Sequence, residues 1–199
     1  MKKLIIIVLL LVSLTSFSQS IWRNSELEKV VFDEINIHRQ NMGSDAVVWD
    51  NNNRTALPYS ELLTSKKAEN NKQRLVHCVC QPGSEILIDV PAVNYDNTPR
   101  PHKEIAEMMV YYWDRSPMHK TCMEYNGVVR AFVAIQMYVD DEGVTRALAV
   151  VQFRYPIQYY VDSGWGKDGE NQDKFKPKGV GPNKLNKLKH PWVWDLRED

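Results

Sequence analysis

The chain has 199 residues, with 25 basic and 25 acidic side chains and no formal net charge at neutral pH. That balance excludes a general nucleic-acid binder, which needs a basic surface to displace the counterions of a phosphate backbone. The length suits one domain with a proper core. Three cysteines, Cys78, Cys80 and Cys122, cannot all pair within one chain.

Lys2 and Lys3 give a basic start, Leu4 to Val12 run unbroken and apolar, and Ser16-Phe17-Ser18 close a small, polar stretch. This is the pattern of a secretory signal peptide over residues 1–18. The apolar run is too short to span a bilayer comfortably, and no later stretch reaches spanning length. The expectation is a secreted or periplasmic protein with no transmembrane segment after cleavage. A domain over residues 19–157 and an irregular tail over 158–199 make up the remainder.

Ser25 and Glu28 have the spacing of a capping box. Leu27, Val30, Val31, Ile35 and Met42 then recur at helical intervals as far as Gly43, which suits a left-handed cap. Val47 to Asp50 is a short extended link. A second helix is predicted from about Arg54 to about Leu75, with Pro58 near its first turn and a polar middle over Lys66 to Lys72. Val79 to Pro101 reads as irregular, broken by Pro82, Gly83, Pro91 and Pro99, with a short strand at Ile86 to Ile88. A third helix runs from about Lys103 to Trp113 and stops at Ser116-Pro117.

Val128 to Val139 and Val144 to Phe153 read as strands of a hairpin turning at Asp140 to Gly143. Both faces are largely apolar. Val129, Ala131, Val133, Ile135 and Met137 share one; Val128, Phe132, Ala134 and Tyr138 share the other. A sheet apolar on both faces must be covered on both. The fold class is therefore α+β: a three-layer α-β-α sandwich with a small antiparallel sheet between helices. His38 reads as a packed core residue, His102 as solvated at a helix start, and Tyr111, Tyr112 and Trp113 as core aromatics. His190 and the lysines at 174, 176, 178, 184, 187 and 189 read as a solvated tail, with contact to an anionic envelope polymer as the sharper alternative.

Three stretches in order resemble the CAP superfamily of secreted proteins in its bacterial form. Trp113-Asp114-Arg115-Ser116-Pro117-Met118-His119-Lys120 is similar to W-x-x-S-P-G-H-R, with Met118 for Gly and Lys120 for Arg. Asn36 to Arg39, Gly43 and Val48-Trp49-Asp50 are similar to N-x-x-R, G and L-x-W-D. Val150-Val151-Gln152-Phe153 is similar to a late W-V-Q-x-F strand. The resemblance implies a cleft lined by His77, Glu85, Ser116 and His119. Glu85 stands one place later than a gapless match, and Ser116 stands where many members carry an acid. With His77 and His119 side by side, the resemblance also implies a disulfide from Cys122 to Cys78 or Cys80.

Two neutral imidazoles and a carboxylate suit zinc or another divalent cation, so His77 and His119, with Glu85 as a third, are the candidate metal ligands. A hydrogen-bonded cluster without metal fits the same residues. A catalytic role for Ser116 beside His119 competes with a local backbone-bonding role, and no G-x-S-x-G elbow is present. The expected function is a non-enzymatic binding module for a metal, a small molecule or a lipid-like ligand. The alternatives are a metal-dependent hydrolase in the same cleft and an interaction protein for an envelope partner.

Overall fold

The computed structural model describes residues 20–78 and 83–156. The expected signal peptide, the whole of the expected tail and Cys80 lie outside them. In chain order the elements are β1 (Ile21–Arg23), α1 (Ser25–Asn41), β2 (Val48–Trp49), α2 (Ala56–Glu69), β3 (Ser84–Pro91), α3 (His102–Arg115), α4 (Pro117–Glu124), β4 (Arg130–Val139) and β5 (Thr145–Arg154).

The long hairpin is the centre of the sheet, because β4 and β5 carry the densest apolar alternation. Its turn works through Gly143 at φ +80° and through the Asp140 carboxylate, which accepts the Glu142 and Val144 amides. Strand order is β1-β4-β5-β3, with antiparallel neighbours; β2 adds a short parallel pairing to β4. The fold is α+β, and helices cover both faces as the two-sided alternation requires. Ala131, Val133, Ile135 and Met137 pack with α1, α3 and α4. Phe132, Ala134 and Tyr138 pack with α2. Trp49 touches both cores, with Phe32 and Phe132 at 5.0 and 5.1 Å between ring centroids.

Several local expectations are corrected. The first helix is capped one residue early: the Asn24 side chain accepts the Leu27 amide at 3.0 Å. Glu28 is no capping partner but a buried carboxylate, gripped by Arg23 Nε and Nη2 and by the Ile135 amide. The other end behaves as expected. Gly43 at φ +79° lets the Ser44 amide reach Arg39 O and the Gly43 amide reach Gln40 O, a Schellman closure. The segment expected to be irregular holds the full strand β3, bounded by Gly83 and ending at Pro91. Ser116-Pro117 ends α3 and also starts α4, since proline at the first helical position gives up an amide that has no partner there anyway. Val128 packs with the α1 side, not with the face that its alternation with Phe132, Ala134 and Tyr138 implies.

The α2 helix ends at Glu69, and its polar stretch is not all solvated. Lys67 is buried and sits 3.2 Å from Asp89 Oδ2, where Tyr138 Oη donates at 2.9 Å and Arg146 Nε donates to Oδ1 at 3.0 Å. Two cations and a phenol thus surround one buried carboxylate on the α2 side of β3. Of the aromatic run, Trp113 is core and donates its indole N–H to Leu87 O. Tyr111 and Tyr112 are half-exposed, with the Arg115 guanidinium 4.3 Å above the Tyr111 ring.

Candidate functional site

His77 lies in the loop that follows α2, outside any helix or strand, yet side chains bond the backbone on either side of it. Tyr59 Oη, from α2, donates to Val76 O. The Cys78 amide donates to Glu85 Oε1 at 2.8 Å. Glu85, on β3, is nearly buried, with a side chain 5% exposed against 40% for His77. Its Oε1 lies 3.3 Å from His77 Nδ1. Its other oxygen accepts from Gln152 Nε2 at 2.8 Å, across the strand pair where Glu85 and Gln152 are direct partners. Gln152 Oε1 in turn accepts from Thr55 Oγ1 at 2.6 Å and Asn53 Nδ2 at 3.0 Å.

The chain of bonds has a chemical consequence. A carboxylate at Nδ1 favours the tautomer with its hydrogen there, which leaves the Nε2 lone pair free. Across from it stands His119, carried by α4, with ring centroids 5.8 Å apart. Burial, and then the neighbouring His77, hold the His119 imidazolium below the ordinary histidine range, so the neutral ring is favoured. The phenol of Tyr59 is pushed up by burial and by the Glu85 charge, so it stays a donor.

His77, Glu85 and His119 are therefore brought together. Ser116 sits at the α3–α4 junction and contributes its backbone: its amide bonds Trp113 O and its carbonyl accepts the Lys120 amide. Its hydroxyl makes no capping bond, contrary to the local side-chain role expected of it. Cys122 is a free thiol, so the expected disulfide from Cys122 to Cys78 or Cys80 is not formed. Cys78 is disulfide-bonded, with its partner outside the described residues. The topology separates the two: Cys78 packs in the α2-side core and Cys122 against the other. Burial pushes the Cys122 thiol up, with Ser84 opposing.

A pH prediction follows from His119. Its pKa in the folded chain lies below the unfolded value, so its share of stability is complete above the ordinary histidine pKa of about 6.5 and is lost as pH falls through the folded value. Urea midpoints measured from about pH 8 down to pH 5 should fall, and His119→Gln should flatten that slope. An equal slope in the variant would remove His119 as its source.

A second cluster was not legible beforehand. His38 is no simple core residue: its Nε2 lies 3.2 Å from Glu124 Oε1 and 3.7 Å from Asp114 Oδ1. Among the described residues, His38, Asp114 and Glu124 form the one group of three whose potential ligand atoms all lie within 4.8 Å of one another, and this group could hold a metal ion. Lys120 Nζ, 2.7 Å from Asp114 Oδ1, holds that carboxyl below the usual carboxylate range. His102 is likewise partnered, 3.2 Å from Asn24 Nδ2.

No protein-family model matches the chain, and no curated protein does. In structure it is similar to an outer surface protein from Borrelia burgdorferi. The TM-score is 0.46 at 13% identity, covering 69% of this chain and 99% of that one. Among the described residues no helix is long and apolar enough to cross a membrane.

Proposed function

We propose that the chain is an extracytoplasmic binding module of the CAP type. In this reading its cleft takes a divalent cation such as zinc, or a small ligand, through the imidazoles of His77 and His119. The observation that carries this is the Thr55/Asn53–Gln152–Glu85–His77 chain, which ends on a half-exposed imidazole beside a second one. Glu85 belongs behind His77 as its orienting group, since both of its oxygens are already engaged. A carboxylate behind a ligating histidine is the usual support of a histidine–metal bond. The order of motifs over residues 36–50, 113–120 and 150–153 and the signal-peptide pattern at the N-terminus are consistent with such a secreted module.

Calorimetric titration of the full mature chain with zinc tests the reading. Wild type should bind, and His77→Ala and His119→Ala should each weaken binding at this cleft by about a hundredfold or more while the circular dichroism spectrum is kept. Wild-type affinity in both folded variants would dismiss the cleft as the zinc site.

A further inference from the structure

We propose a second divalent-cation site, independent of the histidine cleft, formed by His38 Nε2, Asp114 Oδ1 and Glu124 Oε1 and guarded by the Lys120 ammonium. It does not rest on the reading of the cleft. Zinc bonds to histidine nitrogen and carboxylate oxygen are about 2.0–2.2 Å long, so neighbouring donors on a tetrahedral ion stand roughly 3.3–3.6 Å apart. The His38–Glu124 and His38–Asp114 separations, 3.2 and 3.7 Å, bracket that spacing before any ion is added.

The donors come from three helices, and the frame that carries them is fixed. Ser44 Oγ donates to Glu124 O at 2.6 Å, and Arg39 Nη1 donates to Met123 O and Tyr125 O on either side. The end of α4 is thereby tied to the end of α1, next to His38. His38 is the most enclosed donor, with a side chain 11% exposed, while Asp114 and Glu124 keep the outer side open for entry.

A cation already occupies this corner. Lys120 Nζ lies 2.7 Å from Asp114 Oδ1 and 3.5 Å from Glu124 Oε1, so the ammonium is a tethered stand-in for an ion. Two carboxylates, a neutral imidazole and a divalent cation sum to no net charge. The ammonium then has no partner and is repelled, and its half-exposed stem lets it swing into water. Lys120 thus sets a threshold: the site fills only where the free cation outcompetes an intramolecular one.

The test uses full mature chain carrying His77→Ala and His119→Ala, so that the cleft contributes nothing, titrated calorimetrically with zinc chloride. One zinc per chain is expected. Adding Asp114→Asn or His38→Ala should abolish it, the former serving if the latter fails to fold. Adding Lys120→Met should tighten it by roughly tenfold, because the competing charge is gone and the stem is kept. No zinc uptake by the folded double variant would overturn the proposal. So would uptake that survives Asp114→Asn, or an affinity that Lys120→Met leaves unchanged or weakens.

Discussion

Truncating Arg39 to alanine is expected to lower the unfolding free energy by about 3 to 4 kcal/mol. Arg39 has no exposed surface. Its Nε donates to Asp45 O at 2.7 Å, and its Nη1 serves Met123 O and Tyr125 O. Those carbonyls belong to the loop after α1 and the end of α4, so one side chain joins segments remote in sequence. Burial holds its guanidinium pKa below the usual value, with Asp45 opposing, which marks the cost of keeping the charge inside. Removing the side chain relieves that cost but strands the carbonyls, and stranding dominates. Arg39→Lys should lose about half as much, since a single ammonium does not reproduce a planar fork. Urea unfolding curves check the ranking: the midpoint should fall from wild type through lysine to alanine at constant slope. An alanine variant within about 1 kcal/mol of wild type would show that the staple is dispensable.

Gln152→Leu is expected to cost about 3 kcal/mol and, on the proposed reading of the His77–His119 pair as a zinc site, to weaken that binding by roughly ten- to a hundredfold. Gln152 is fully buried on β5. Leucine fits the volume but answers none of its partners. Asn53 Nδ2 and Thr55 Oγ1 lose their acceptor, and Glu85 Oε2 loses its donor. Each stranded group costs on the order of 1 to 3 kcal/mol, offset in part by the apolar gain. Binding responds because Glu85, freed on one side, no longer fixes the ring of His77. Paired denaturation and zinc calorimetry separate the two effects. A destabilised variant with wild-type affinity would mean that Glu85 orients His77 without Gln152.

The parts of the fold that could be read in advance were those with long periodic signals. The β4–β5 hairpin alternates over many residues, and α1 and α3 repeat their apolar positions over several turns. The rest turned on short-range competition. Asn24 precedes Ser25 and takes the cap, which frees Glu28 to enter the core. β3 is flanked by the breakers that made its region look irregular, and its pairing with β5 is set by tertiary contact. Pro117 reads in the sequence as a stop, although it also opens α4. Without α4 the His38 cluster stays hidden, because Glu124 meets His38, and Lys120 meets Asp114 and Glu124, only when residues 117–124 are helical. Only the resemblance, and no local pattern, points to His77, Glu85 and His119 as neighbours. No spacing rule links a loop after α2, a strand and a helix that follows one further element.

The strand order carries a consequence for how the fold is reached. Only β4 and β5 are neighbours both in sequence and in the sheet; β1, β2 and β3 all pair with partners made much later. Closing such long loops is entropically costly and slows two-state folding relative to helical chains of similar size. During synthesis, the N-terminal two-thirds of the chain therefore waits without a sheet to join. The final hairpin is both the template and the timer of the whole domain.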